Sequence, residues 1–310
     1  MKLAVPHLLS PNPKDELWRY VKLSTLFMML RGKAFIPTLA QLQKDDPTEG
    51  LIGVLGEKLT CTASVDEHFA FLREHLQSLV DSDYCTVGEK IAIKANKDDY
   101  AHSHHVESLL HKVWVRGLGK RRCIWCWHLS RMESMACWNI YARQGVAVSS
   151  DLESIHAGLN GVVPAEAYVI DYSREFSDSI TETLPPEERL LALRSPHLFK
   201  QRCYEHEKEV RLVFRTLSRE EGVEMEINPN FIKKIVLSPY MASSEAAAIQ
   251  EVIEKLKCGD ERLKAIDVTH SITRSNMSAP NRETELAIKN GLSEKVFDLQ
   301  KSETNIFPYP

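Results

Sequence analysis

The charged residues most able to do chemistry in this 310-residue chain lie just before an apolar run in its second half. They stand two positions apart: Glu205, Glu207, Glu209 and Arg211. If the segment is extended, all four share one face, because side chains alternate along a strand. Carboxylates on one face repel one another, which raises the pKa of at least one and suits a general base or a group that stabilises a cation. The alternative is an intramolecular ion pair of Glu207 or Glu209 with Arg19 or Arg211, which only compensates buried charge.

Two further polar features lie outside this segment. Arg19 interrupts a strand-like apolar run that could have held an apolar residue instead. Asp45, Asp46 and Glu49 place three carboxylates in five residues around a proline. We therefore predict a charged cleft built from both ends of the chain.

The tryptophans are concentrated in one stretch of the sequence. Trp114, Trp125, Trp127 and Trp138 are four of the five in the chain. Such a cluster is typical of a core strand and the helix that covers it, because tryptophan buries a large apolar area. The functional interpretation is an aromatic wall for a flat ring such as nicotinamide or adenine. It applies best to Trp138 and Tyr141, which precede a glycine.

The seven cysteines are odd in number and scattered, which favours reduced thiols over a disulfide framework and indicates a cytoplasmic protein. Cys123-x-x-Cys126 is half of a zinc signature, and His128 and Cys137 are close to it in the sequence. No second pair with suitable spacing completes four ligands, and two cysteines three apart on a strand point to opposite faces. We expect buried free thiols and no metal at this position.

Composition excludes several classes of protein. The formal charge is −4, with 43% hydrophobic and 26% charged residues, close to the globular average. Disordered, collagen-like and coiled-coil structures are therefore poor interpretations, and the net charge gives no evidence for a nucleic-acid partner. The first residues lack the pattern of a signal peptide, and no apolar run is long enough for a membrane span. We expect no membrane association.

Apolar periodicity predicts the elements that position these side chains. Strands are expected at residues 17–22, 34–37, 121–129, 146–149, 162–171, 210–216 and 234–237. Helices are expected at residues 26–30, 65–81, 98–118, 134–142 and 243–257, and from 186 towards 204. Strands and helices intermix without regular alternation, which predicts an α+β fold with a mixed, mostly antiparallel sheet and surrounding helices. The expected organisation is a leader at 1–14, one domain at 15–275 with a helical insertion at about 57–120, and a C-terminal extension at 276–310.

The sequence resembles a bacterial family catalogued as domain of unknown function 2971. The similar segments occur in the family's order: residues 17–20, 34–37, 46–49, 133–142, 145–148, 204–213 and 235–239. The chain departs from the family pattern at Asp45, where asparagine is usual, and at Cys137, where methionine is common. Members of the family resemble parts of antiphage or toxin-like loci, which implies an antiviral defence role here.

A second resemblance, to ADP-ribosyltransferases of the arginine–serine–glutamate type, implies a chemistry. The matching residues are Arg19, a central serine (Ser130, Ser149 or Ser150) and Glu207-x-Glu209. Such a transferase binds NAD and breaks the nicotinamide–ribose bond through an oxocarbenium-like state. The resemblance implies that Glu207, Glu209 and Arg19 are catalytic. The expected ligand-binding residues are Tyr20, Asp46, Glu49, Ser134, Trp138, Tyr141 and Arg211.

Two alternatives to an NAD-using enzyme remain open from the sequence. The first is a metal-dependent nuclease or phosphodiesterase, in which the carboxylates of Asp45, Asp46, Glu49, Glu207 and Glu209 hold Mg²⁺ and Arg116, Lys120, Arg121 and Arg122 steer a phosphate backbone. The second is a non-enzymatic sensor in a defence system, with a recognition surface in residues 57–120. The expected partners are NAD or another nucleotide and an unidentified protein or nucleic-acid target.

Overall fold

The structure is a computed structural model that describes residues 11–45, 63–96, 103–161, 166–174, 195–215 and 221–271. The chain divides into two compact units, Met1–Thr269 and His270–Pro310. The cavity described below lies within the first unit. In the described ranges, no helix is both long enough and apolar enough to cross a membrane.

A mostly antiparallel seven-stranded sheet forms the centre of the fold. The strands in the described residues are β1 (Glu16–Lys22), β2 (Lys33–Pro37), β3 (Arg122–Leu129), β4 (Gly145–Asp151), β5 (Glu166–Val169), β6 (Asp171–Arg174), β7 (Phe199–Gln201), β8 (Glu209–Arg215), β9 (Gly222–Glu226), β10 (Lys234–Leu237) and β11 (Asp267–His270). The order across the central sheet is β11-β10-β4-β1-β3-β8-β5. β2 pairs with β9, and β6 pairs with β7, in two small separate sheets. The predicted α+β class with a mixed, mostly antiparallel sheet is confirmed.

Helices surround this sheet. Those in the described residues are α1 (Leu23–Leu30), α2 (Leu39–Asp45), α3 (Ala63–Glu74), α4 (Leu76–Asp81), α5 (Val87–Asn96), α6 (Ser103–Arg121), α7 (Met135–Tyr141), α8 (Leu152–Gly158) and α9 (Ser243–Gly259). α3 to α6 occupy the stretch that the sequence predicts as a helical insertion. They share a small core of their own, with Phe69, Leu72, Leu110 and Val113 among its buried residues.

Alternation along the central strands sends apolar residues to both faces of the sheet. On β3, the side chains of Cys123, Trp125 and Trp127 enter the main core. Ile124, Cys126 and His128 occupy the other face and line a cavity. The two cysteines of the C-x-x-C sequence therefore point to opposite faces, as the strand periodicity predicts.

The helix expected from residue 186 towards residue 204 is wrong over its described part. Residues 195–204 contain a short 3-10 turn at Pro196–Leu198, the strand β7 and the start of a second 3-10 turn at Arg202–Glu207. Phe199 is buried beside the helical insertion and β7 pairs with β6, so tertiary contacts override the local helical pattern. Residues 186–194 of that predicted helix lie outside the described residues.

We expect Gly145→Ala to lower the free energy of unfolding by about 1–3 kcal/mol. Gly145 begins β4, and a Cβ placed there would collide with the backbone carbonyl oxygen of Val21 on β1. Backbone cannot move aside as a flexible side chain can, so the paired strands must shift. The control is Gly88→Ala near the start of α5, where a Cβ meets nothing within 4 Å. Urea unfolding followed by tryptophan fluorescence should show unchanged or increased stability for Gly88→Ala, and equal stability of both variants would contradict the prediction.

Candidate functional site

A cavity of about 320 Å³ opens on the face of the sheet formed by alternate residues of β3 and β8. Its lining combines charged, aromatic and apolar side chains from distant parts of the chain. They are Arg19, Tyr20, Pro37, Leu42, Ile124, Cys126, His128, Tyr141, Lys200, Glu207, Glu209 and Arg211. The lining includes all three residues predicted to be catalytic. Of the predicted ligand-binding residues it includes Tyr20, Tyr141 and Arg211.

The register of β3 against β8 explains why charged side chains meet here. His128 is opposite Glu209, and Cys126 is opposite Arg211, in an antiparallel ladder. Paired residues of a ladder place their side chains on the same face, so these four point together into the cavity. The alternating residues of β8 supply the opposite, apolar face: Val210, Leu212 and Phe214 enter the main core.

Glu209 and Arg211 form a buried two-point ion pair on the cavity wall. Arg211 Nε donates to Glu209 Oε1 at 3.0 Å, and Nη2 donates to Oε2 at 2.9 Å. Both side chains are almost completely buried, and Arg211 Nη1 also donates to the carbonyl oxygen of His197 at 2.6 Å. Burial alone would raise the pKa of Glu209, but attraction by Arg211 and Lys200 outweighs it and lowers that pKa. Glu209 is therefore an ionised carboxylate, held in place by Arg211.

Glu207 reaches the cavity from a turn instead of a strand. Residues Arg202–Glu207 form a 3-10 helix, and Lys208 adopts a φ of +45° before β8 begins. The segment is therefore not extended at Glu205, the condition under which all four charged residues would share one face is not met, and Glu205 is exposed. The Glu207 carboxylate is buried, accepts a hydrogen bond from Tyr141 Oη at 2.5 Å and lies 2.6 Å from Lys200 Nζ.

Lys200 is a cavity residue that the sequence analysis did not identify. Its Nζ atom lies 2.6 Å from Glu207 and 3.6 Å from Glu209, so one ammonium group links the two carboxylates. It also lies 4.7 Å from the centre of the Tyr204 ring. Lys200 belongs to β7, which replaces a predicted helix, so no periodicity placed it near Glu207. The Lys-x-x-x-x-x-x-Glu spacing alone has no recognised meaning.

Arg19 occupies the place where β1 and β3 stop pairing. Their ladder contains only the pairs Leu17↔Leu129 and Trp18↔His128. Beyond it, Arg19 Nη1 donates to the carbonyl oxygen of Cys126, and the guanidinium carbon lies 5.8 Å from the centre of the Trp125 ring. Burial lowers the pKa of Arg19, although the group still carries its charge at neutral pH.

Arg19 is the cavity cation that no described carboxylate pairs. Lys200 is paired with Glu207 and Arg211 with Glu209. Within the described ranges, Arg19 forms no ion pair, although Glu209 attracts it at longer range, and its Nε atom is buried without a hydrogen-bond partner. Its guanidinium can therefore pair with an anionic ligand.

Two tyrosines supply the aromatic part of the lining. Burial raises the pKa of Tyr141, and the hydrogen bond to Glu207 raises it further, so the hydroxyl remains a neutral donor. Burial also raises the pKa of Tyr20, whose hydroxyl accepts a hydrogen bond from the backbone N–H of Ser134 at 2.6 Å. This contact ties β1 to the start of α7.

Ser134 and Trp138, both predicted to bind a ligand, do not line the cavity. Ser134 caps α7, and its Oγ accepts from the backbone N–H of Cys137 at 3.3 Å. Trp138 is fully buried behind Tyr20, with their ring centres 5.0 Å apart, and its indole N–H donates to Glu133. Tryptophan's large apolar area is buried in the core on this face, and Tyr141 provides the accessible ring. Both residues position α7 and thereby Tyr141.

The other residues implied by the two resemblances fall elsewhere. Asp46 and Glu49 lie outside the described residues, as does the Asp45 side chain. The hydroxyls of Ser130, Ser149 and Ser150 donate to Met132, Glu16 and Phe231, respectively, and none of the three lines the cavity. The described part of the chain contains no group of three or more His, Cys, Asp or Glu side chains arranged to hold a metal ion.

No known protein supplies evidence about the function of this cavity. The chain matches no protein-family model, no curated protein and no solved structure.

Proposed function

We propose that the cavity binds a nucleotide, with NAD as the leading candidate, and that the protein breaks the bond between nicotinamide and ribose. One observation carries the proposal: a cavity of ligand size holds a buried network of carboxylates and cations together with Arg19, which no described carboxylate pairs. Perturbed titratable groups that converge in a cleft are typical of functional sites. The order of Arg19 and the Glu207-x-Glu209 element agrees with the arginine–serine–glutamate resemblance, although none of the central serines lines the cavity.

The size and lining suit part of a dinucleotide. At about 320 Å³ the cavity is near the lower end of the range of small-molecule sites, about 300–1,000 Å³. It can enclose one nucleoside half of NAD, with the rest outside. Tyr20 and Tyr141 offer aromatic surface to a flat ring, and Pro37, Leu42 and Ile124 offer apolar contact.

Each charged group has a role in this chemistry. The C1′–N bond breaks with its electron pair going to the nicotinamide ring, which leaves neutral, while positive charge develops on the ribose. The Glu207 carboxylate can offset that charge and accept a hydrogen bond from a ribose hydroxyl. Arg19 supplies the unpaired charge for a phosphate. Glu209, paired with Arg211, acts as a positioning residue that holds Lys200 near Glu207.

A toxin-like defence role fits such an activity. An enzyme that consumes NAD deprives its cell of a cofactor that many redox reactions need. The acceptor of the ADP-ribosyl group is then water or a group on a protein or nucleic-acid target.

We expect Arg19→Met to weaken NAD binding by about tenfold or more, because a charge-assisted hydrogen bond contributes about 1.5–3 kcal/mol. Methionine retains much of the apolar stem but removes the guanidinium charge that would pair with a phosphate. Isothermal titration calorimetry measures the dissociation constant directly. The control is Arg31→Met at the exposed end of α1, which should bind NAD as the wild type does. Equal affinities for all three proteins would contradict the assignment of Arg19.

A non-enzymatic nucleotide sensor is the second candidate, and one observation favours it. Both cavity carboxylates are already engaged by cations, as in a structural network. A sensor would bind NAD in the calorimeter without releasing nicotinamide, whereas an enzyme would do both. The nuclease alternative has less support, because Lys200 and Arg211 occupy positions beside Glu207 and Glu209 that Mg²⁺ would need. Cleavage of DNA or RNA that depends on Mg²⁺ would restore it.

A further inference from the structure

His128 lines the cavity, and a backbone carbonyl fixes which of its ring nitrogens carries the hydrogen. Its Nδ1 atom is 2.8 Å from the carbonyl oxygen of Glu207. A carbonyl oxygen only accepts, so Nδ1 carries the hydrogen and Nε2 of the neutral ring is the acceptor. The Cys137 thiol is farther from Nδ1, at 3.8 Å. Among the described residues, nothing hydrogen-bonds to Nε2.

The ring lies beside two aromatic side chains of the cavity. Its centre lies 5.6 Å from that of Tyr20 and 5.6 Å from that of Tyr141. His128 is 8% exposed, whereas Tyr141 is 39% exposed. The imidazole is therefore the more deeply buried of these two neighbouring rings.

Burial sets the charge state of this ring. Desolvation lowers its pKa from 6.5 and outweighs the carbonyl hydrogen bond and the nearby carboxylates. The charged and titratable groups around it come from four elements: Glu207 at the end of the 3-10 turn, Glu209 on β8, Arg19 and Tyr20 on β1, and Cys137 and Tyr141 on α7. At neutral pH the imidazole is uncharged and can take a proton.

We propose that His128 is the general base of the reaction and that the acceptor is water, so that the protein hydrolyses NAD to ADP-ribose and nicotinamide. This inference rests on the proposed function. The oxygen of a water molecule forms the new bond to C1′ as the C1′–N bond breaks and its electron pair stays with nicotinamide. One proton of that water passes to Nε2, and the resulting imidazolium keeps its Nδ1 hydrogen bond to the Glu207 carbonyl oxygen.

The burial of the base favours water as the acceptor. A general base must come within about 2.6–3.2 Å of the oxygen it deprotonates. Because His128 is almost completely buried, an oxygen that comes this close to Nε2 belongs to a molecule as small as water. A side chain of a target protein would have to displace the residues that bury the ring.

The test uses the full-length protein, NAD and the variant His128→Asn. Asparagine can keep the donor to the Glu207 carbonyl because its Nδ2 takes the place of Nδ1, but it offers no base at the position of Nε2. We expect nicotinamide release to slow by about 100-fold or more. The matched control is His156→Asn at the exposed end of α8, which should retain the wild-type rate.

Two further readouts separate a base from a structural residue. In the wild type, the rate should fall as the pH drops below 6.5, through the lowered pKa of His128, and His128→Asn should lose that dependence. In water enriched in ¹⁸O, the wild type should release free ADP-ribose with the label at C1′. This labelling result needs no variant, so it decides whether water is the acceptor even if His128→Asn fails to fold.

The outcomes distinguish the two proposals. Release of nicotinamide with ADP-ribose attached to a protein, or a His128→Asn rate within about twofold of the wild type, would overturn the hydrolytic role of His128 and leave the proposed function in place. A folded wild-type protein that releases no nicotinamide would overturn both.

Discussion

Replacing Arg211 with methionine is expected to lower the free energy of unfolding by about 3–5 kcal/mol, the largest change in stability expected from any single substitution in the cavity. The guanidinium is completely buried and holds Glu209 by two hydrogen bonds. Methionine fills similar space but leaves the Glu209 carboxylate with the more distant Lys200, at 3.6 Å, as its remaining ion-pair partner among the described residues. Urea unfolding followed by tryptophan fluorescence measures the loss.

The double variant Glu209→Gln/Arg211→Met should recover much of that loss, because it no longer buries an uncompensated charge. Arg215→Met, at the exposed end of the same strand, is the control and should change stability little. The folded pKa of Glu209 is lowered from 4.5, so its contribution to stability is complete above that pH and decreases as the pH falls. An Arg211→Met protein within about 1 kcal/mol of the wild type would contradict this account of the ion pair.

The largest expected effect on activity comes from Glu207→Gln, which should reduce the rate of nicotinamide release by about 100- to 1,000-fold. Glutamine keeps an oxygen that can accept from Tyr141 but removes the negative charge that offsets the developing charge on ribose. Because that charge develops only in the transition state, the dissociation constant for NAD should change little. Initial rates from chromatographic nicotinamide measurement, together with calorimetry, separate the two quantities.

The control for Glu207→Gln is Glu205→Gln, in the same 3-10 turn but exposed to solvent. It should behave as the wild type in both measurements. A Glu207→Gln protein that binds NAD more weakly but turns over bound NAD at the normal rate would reassign Glu207 from catalysis to binding.

Sequence patterns predicted the sheet well where strand periodicity is strong. Strands were predicted at 17–22, around Arg19, and at 210–216, just after Glu209, and β1 and β8 lie there to within one residue at each end. Charged residues within apolar strands also identified most of the charged cavity lining, because burying a charge requires a partner or a ligand.

The parts that sequence reasoning missed depend on tertiary structure. The positive φ of Lys208 has no signature in its residue type. The sequence therefore could not show that the strand conformation begins only after Lys208 and does not include Glu205 and Glu207. Lys200 lies on β7, whose pairing with β6 no local pattern announces. An aromatic cluster likewise cannot show which ring faces a cavity, and Tyr141 does so while Trp138 lies behind it.

His128 shows a different limit. In the sequence it drew notice only for its proximity to Cys123 and Cys126, where we expect free thiols and no metal, and alternation on β3 places it with Cys126 and apart from Cys123. What distinguishes it is a hydrogen bond to the backbone carbonyl of Glu207, from a segment far away in the chain. Only the pairing of β3 with β8 brings these two residues together.

The most direct test of the central claim is the release of nicotinamide from NAD by the purified wild-type protein, compared with Glu207→Gln and Glu205→Gln. We expect steady release by the wild type and by Glu205→Gln, and almost none by Glu207→Gln. A folded wild-type protein that leaves NAD intact, or a Glu207→Gln protein that releases nicotinamide as fast as the wild type does, would contradict the proposed function.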